Sequence, residues 1–205
     1  ESMDVLRAYG IRTCHESFAH NEEEAVAAAN KMGYPVVMKM TSKSTSHKTD
    51  VGGVIVNIRS EAQLRQEFKA LIARLEEKNL LDGFEGVLVQ EMVISTREMV
   101  CGIATDPQYG HMMMFGLGGI FRLAPLADVD AHDMVRDIRS YALLEGARGK
   151  AAAKIDQIEE TLLRLSQLVS DFPDITELDI NPLMISDTTG EAIAVDGRIA
   201  FKVEH

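Results

Sequence analysis

The sequence predicts an α+β fold made of two lobes, residues 1–92 and 93–205, that meet near residues 90–95. Three observations predict it. Capped helical periodicities alternate with short β-branched runs through the first part of the chain. Two strand-like runs, Gly86–Met92 and Glu98–Ala104, then follow one another across a brief break. Beyond them come a further strand, two helical patterns and a closing strand pair.

In order, Val5, Leu6 and Tyr9 give a short amphipathic helix that stops at Gly10. Asn21 is placed to cap the next helix, with Glu24 three residues on. Ala25, Val26, Ala28, Ala29 and Met32 supply its buried side, and Gly33 ends it. Tyr34–Met40 reads as a strand with Pro35 among its first residues, and a polar loop runs from Thr41 to Asp50. Val51–Ile58 is another strand, reached through Gly52 and Gly53. Ser60 and Gln63 form a second capping box, opening a helix to about Lys78.

Gly86–Met92 and Glu98–Ala104 read as consecutive strands of one sheet. Pro107–Gly110 is turn chemistry, and His111–Phe115 returns as a strand whose Met112-Met113-Met114 run suits a core. A helix follows Asp130, then a loop at Gly146-Ala147-Arg148-Gly149. Ile155, Ile158, Leu162, Leu165 and Leu168 lie on one side of a strong helix. Glu177–Ile185 and Glu191–Val195 are strands joined by the turn Asp187-Thr188-Thr189-Gly190.

Composition narrows the function classes. Of 205 residues, 46% are hydrophobic and 26% charged, with only 5 prolines, which fits a soluble globular chain. No apolar run approaches the roughly 20 residues of a membrane helix. The start Glu1-Ser2-Met3-Asp4 has neither the basic nor the apolar region of a signal peptide. The formal net charge of −11 argues against nucleic acid as a partner. A few lysines and backbone amides can still build a local site for a small phosphate ligand. Cys14 and Cys101, the only cysteines, read as structural and point to a reducing cytoplasm.

Four segments carry candidate chemistry. Ser46–Val54 places His47, Lys48, Asp50 and the pair Gly52-Gly53 between two strands, where glycine amides can approach an anion. A tight turn with solvated charges would look the same. Lys39 stands inside an apolar strand, and so faces either solvent or a polar cleft. Gly116-Leu117-Gly118-Gly119 is by itself a weak phosphate-loop signal. In Glu177–Leu183, alternation puts Glu177, Asp179 and Asn181 on one face, an oxygen-rich set that suits Mg²⁺, and Asp196 closes the next strand beside it. One polar face of a solvated hairpin is the competing reading.

Taken in order, Tyr34–Lys39, His47–Val54, Gly116–Gly119 and Glu177–Leu183 resemble the ATP-grasp domain of ADP-forming (NDP-forming) acetyl-CoA synthetases, a family related to succinyl-CoA synthetase. The resemblance runs from the Tyr9-Gly10-Ile11 region to Arg198. It implies an ATP-grasp fold with the nucleotide cleft between the lobes, and the ATP-grasp portion of an acid–CoA ligase using ATP/ADP and Mg²⁺. Lys39 would reach the phosphates and Gly52 and Gly53 would cover them. Glu91 and Val93 would read the adenine edge through backbone groups, and Glu98 would hold the ribose. Asn181 and Asp196 would bind Mg²⁺, and His47 would carry a phosphoryl group. Arg122 and Arg148 are further candidates to meet negative charge.

The implied partner is a CoA-binding synthetase domain or subunit, since no such half is present in this sequence. The same module also occurs fused to an acetyltransferase domain in protein lysine acetyltransferases, which gives the alternative of a ligand-binding regulatory domain. The His47 segment argues against a carboxylate–amine ligase of the same fold. In one respect the sequence departs from the pattern: relatives carry an additional charged stretch where Ile120 here runs straight into Phe121. Around His15, His20, His111, His132 and His205 the sequence shows no constellation.

Overall fold

The computed structural model describes residues 1–42, 52–116, 119–146 and 149–202. They divide into two compact units, Cys14–Met92 and Glu1–Thr13 with Val93–His205. The first helix, α1 (Ser2–Ala8), therefore packs with the second part of the chain. Its apolar stripe decides this, because a seven-residue helix is stable only where that stripe is covered. Met3 and Leu6 are buried against Gly197, where a Cβ would lie 2.7 Å from Leu6 Cδ1. Ala194 N–H then donates to the Arg12 carbonyl at 2.9 Å.

The unit Cys14–Met92 runs β1 (Glu16–Ala19), α2 (Glu22–Met32), β2 (Val36–Ser42), β3 (Val54–Ile58), α3 (Glu61–Glu77) and β4 (Phe84–Glu91). The Asn21 side chain accepts the Glu24 N–H at 2.9 Å, and Glu24 reaches back to the His20 N–H at 2.8 Å. Ser60 caps α3 in the same manner, accepting the Gln63 N–H at 3.3 Å. The strands form one antiparallel sheet in the order β1-β4-β2-β3. Val36, Met38, Met40, Val87 and Val89 point to the helices, where Ala25, Val26 and Ala29 of α2 and Leu64, Phe68, Leu71 and Leu75 of α3 close the core. β1 was not foreseen; four residues, Glu-Ser-Phe-Ala, are too few to show a period.

The second unit adds β5 (Arg97–Asp106), β6 (Gly110–Phe115), β7 (Ile120–Leu123), α4 (Asp128–Arg136), α5 (Ile155–Asp171), β8 (Ile175–Ile185), β9 (Ala192–Ala194) and β10 (Gly197–Phe201). Its sheet is ordered β10-β8-β5-β6-β7, with β9 also on β8, and its ladders are antiparallel. One expectation fails here: β4 and β5 are not strands of one sheet. Both edges of β4 are taken by β1 and β2, and both edges of β5 by β8 and β6. α4 starts three residues earlier than expected because Asp130 accepts the Ala127 N–H at 2.9 Å, which makes Asp130 a residue of the first turn. β7 and β10 are further strands the sequence did not signal.

Met99, Cys101, Ile103, Met113, Phe115, Leu178 and Ile180 are buried on one side of this sheet with Met134, Ile158, Leu162 and Leu165 of α4 and α5. In both units one sheet face is thus closed by helices, and the alternating residues stand on the other. Among the described residues no helix is long and apolar enough to cross a membrane.

Candidate functional site

In the unit Cys14–Met92 the alternation of β2 buries Val36, Met38 and Met40 and leaves Lys39 half-buried on the face away from the helices. Lys39 lies across from Val54 on one side and Leu88 on the other. Gly53 is beside it, since its carbonyl accepts the Met40 N–H at 2.6 Å. Gly52 is exposed and has φ +67°, a conformation suited to glycine. Arg74 donates to the Gly52 carbonyl at 3.1 Å, while its Nε is buried with no hydrogen-bond partner among the described residues. The structure therefore brings Lys39, Gly52 and Gly53 together where β2 and β3 pair.

Glu91 ends β4. Its carboxylate meets His15 Nδ1 at 2.6 Å, so His15 has a partner that the sequence did not show. The N–H groups of Glu91 and Met92 are committed to the carbonyls of His15 and Pro35 at 2.9 and 3.3 Å. His132 and His111 are likewise engaged, with Glu159 at 2.9 Å and the Ile175 carbonyl at 2.8 Å.

In the second unit, Val93 precedes β5 and Glu98 lies exposed on it, opposite Met184. Asn181 and Asp196 are both exposed and are joined through the backbone, Asn181 N–H to Asp196 carbonyl at 3.2 Å. Asp179 completes the cluster. Its carboxyl is held above the ordinary carboxylate range by burial first and by the charge of Asp196 second, against the opposing pull of Arg198 and a hydrogen bond from Asn181. Arg198 stands opposite Asp179 across the β8–β10 ladder.

Arg122 is paired with Asp137 at 3.4 Å. Near it, a cavity of about 570 Å³ opens beside Gly116 and Gly119, lined by Phe115, Ile120, Asp137, Ile138, Arg139 and Ser140. It does not include Asn181 or Asp196. His47, Leu117, Gly118 and Arg148 lie outside the described residues.

A family model for the ATP-grasp domain matches residues 1–201. The chain belongs to the ATP-grasp family. The 4-hydroxybutyrate–CoA ligase (ADP-forming) of Nitrosopumilus maritimus is 40% identical over 98% of this ATP-grasp chain, which spans 30% of that ligase. The beta subunit of acetate–CoA ligase (ADP-forming) I of Pyrococcus furiosus is 37% identical over 97% of the chain and 89% of the subunit. Among solved structures, the dinucleotide forming acetyl-coenzyme A synthetase 1 of Ca. Korarchaeum cryptofilum, in complex with coenzyme A, Ca-AMPCP and HgCl⁺, matches with a TM-score of 0.89 and 35% identity, covering 98% of this chain and 91% of that one. The same synthetase with coenzyme A and Mg-AMPPCP, its phosphohistidine segment pointing towards the nucleotide binding site, matches with a TM-score of 0.81 and 33% identity, covering 98% and 91%. The kinship expected from the motifs is borne out.

Several polar residues of this ATP-grasp domain escaped the sequence. Gln90 is buried and donates to Glu16 at 2.7 Å, and Arg97 is buried against Asp187. Their partners lie 74 and 90 residues away in the chain, so no local pattern could reveal them.

Proposed function

We propose that this ATP-grasp domain binds ATP with Mg²⁺ and carries the phosphoryl-transfer half of an ADP-forming acid–CoA ligase. The observation that carries the proposal is the common placement of the site residues. In each unit they emerge where the helices do not cover the sheet: Lys39 in one, Asp179 and Asn181 in the other. One set is cationic with glycine amides, and the other is rich in oxygen donors. The first suits phosphate oxygens and the second a hard cation.

The donor chemistry of Asn181 and Asp196 fits Mg²⁺. An amide oxygen and a carboxylate are hard ligands, and a cation that keeps water and phosphate oxygens in its remaining positions needs few from protein. Bound there, the cation would neutralise phosphate oxygens.

Lys39 and the amides of Gly52 and Gly53 hold the phosphates in line, and such positioning supplies most of the acceleration in phosphoryl transfer. Backbone groups of Glu91 and Val93 read the base, and Glu98 holds the ribose. His47 is the acceptor: the unprotonated nitrogen of a neutral imidazole is a nucleophile. A ring nitrogen forms a bond to the γ-phosphorus as the bond to the β,γ-bridging oxygen breaks, leaving ADP. The phosphoryl group then passes to a CoA-binding partner domain or subunit, where acid, CoA and phosphate chemistry are completed. Relatives described as a beta subunit and as much longer ligases support such a partner. The buried thiols Cys14 and Cys101 suit a reducing, cytoplasmic setting.

Titration calorimetry tests the binding step. MgATP should bind the unmodified protein, and Lys39→Ala should weaken it by about tenfold or more, the usual cost of a lost charge-assisted bond. The absence of a binding heat at millimolar ATP would end this reading.

A further inference from the structure

Residues 92–96 between β4 and β5 belong to no strand, so nothing in a regular ladder fixes their conformation. A set of side-chain bonds does so instead. Arg97 is 4% exposed, and its guanidinium is spread over three partners: Nε on Asp187 Oδ1 at 3.3 Å, Nη2 on the Ser186 carbonyl at 2.9 Å and Nη1 on the Leu143 carbonyl at 3.3 Å. Asp187, also largely buried, accepts from Thr96 Oγ1 at 3.0 Å, and its own N–H donates to the Ile94 carbonyl at 2.9 Å. Ser95 Oγ donates to the Ile185 carbonyl at 2.7 Å and accepts the Arg97 N–H at 3.0 Å. Lys150 bonds Thr96 Oγ1 and stands 3.8 Å from Asp187 Oδ2.

Four successive residues, Ile94 to Arg97, are therefore tied to the end of β8 and the turn after it. A buried ion pair is a poor device for stability alone, because apolar residues of the same volume often do as well. It is a good device for fixing direction, since a planar guanidinium with three acceptors permits one geometry. We infer that the Arg97–Asp187 pair with Thr96 is a positioning clamp that sets the backbone around Val93 for the nucleotide base. The inference rests on the reading of Val93 as a base-contacting residue. None of the clamp residues touches the phosphates in that reading, and Lys39, Gly52 and Gly53 belong to the other unit.

The clamp and a merely structural role differ in what they weaken. Binding of ATP and of inorganic tripolyphosphate, each with Mg²⁺, is measured for the unmodified protein, Thr96→Val and Asp187→Asn. Thr96→Val is nearly isosteric and removes one hydroxyl, which keeps the test valid if Asp187→Asn does not fold. The clamp predicts an about tenfold loss of ATP affinity in Thr96→Val, and more in Asp187→Asn, with tripolyphosphate affinity held within about twofold. Equal weakening of both ligands, or ATP affinity unchanged in folded Thr96→Val, would overturn it. Failure of the unmodified protein to bind ATP would overturn the nucleotide reading itself, before any variant is compared.

Discussion

The backbone N–H of Asn181 donates to the carbonyl of Asp196 at 3.2 Å, so an amide and a carboxylate from different parts of the β8–β10 region leave the sheet at one point. Both side chains are exposed, and exposed substitutions ordinarily move stability by no more than about 0.5 kcal/mol. Asn181→Ala and Asp196→Ala should therefore melt close to the unmodified protein without ligand. The rise in melting temperature given by MgATP should be largely lost in both. Paired thermal melts, with and without MgATP, check this.

Asp179 should behave as a functional residue held at a cost in stability. Its folded pKa is raised, by burial first and then by Asp196. A carboxyl raised in the folded state binds more protons there than in the unfolded chain, so stability falls as pH climbs from the ordinary 3.8 through the folded value. At pH 7 Asp179→Asn should raise the melting temperature, and the gain should fade as pH falls below that window. A melting series from pH 3 to pH 8 on both proteins is the measurement.

Asp187 should show the opposite sign. Burial alone would raise its pKa, but hydrogen bonds from Thr96 and the charges of Lys150 and Arg97 outweigh it and hold the carboxyl below the ordinary 3.8. Stability from a depressed carboxyl is present above the unfolded value and is lost as pH falls through the folded one. The acid limb of unfolding below pH 3.8 should accordingly be shallower in Asp187→Asn, although that variant is less stable at pH 7. Acid titration followed by circular dichroism reads both slopes.

The cap on α2 includes none of the residues proposed to contact the nucleotide or the cation. Asn21→Ala removes the bond to the Glu24 N–H and should cost about 1 kcal/mol, or roughly 2–4 °C for a chain of this size. Calorimetric ATP affinity should not change.

What the sequence revealed was whatever depends on neighbours in the chain. Asn21, Ser60 and the alternation from Leu178 to Asn181 each state their structure within a few residues. β1, β7 and β10, of four, four and five residues, carry too little periodicity to be seen. Assigning β5 to the other sheet required knowing which strands flank β4. Of the candidate site, the half-buried place of Lys39 followed from strand alternation, and the approach of Asp196 to Asn181 from the return of the chain along β8. The Arg97–Asp187 pair and the His15–Glu91 contact were not legible, because each joins residues brought together only by tertiary folding.

The most direct test of the account is transfer of label from γ-labelled ATP, with Mg²⁺, to the protein, compared across the unmodified chain, His47→Ala and Asn181→Ala. The account predicts acid-labile, base-stable label on the unmodified protein, none on His47→Ala and strongly reduced label on Asn181→Ala. Tight ATP binding with no label, even when the CoA-binding partner is supplied, would contradict it.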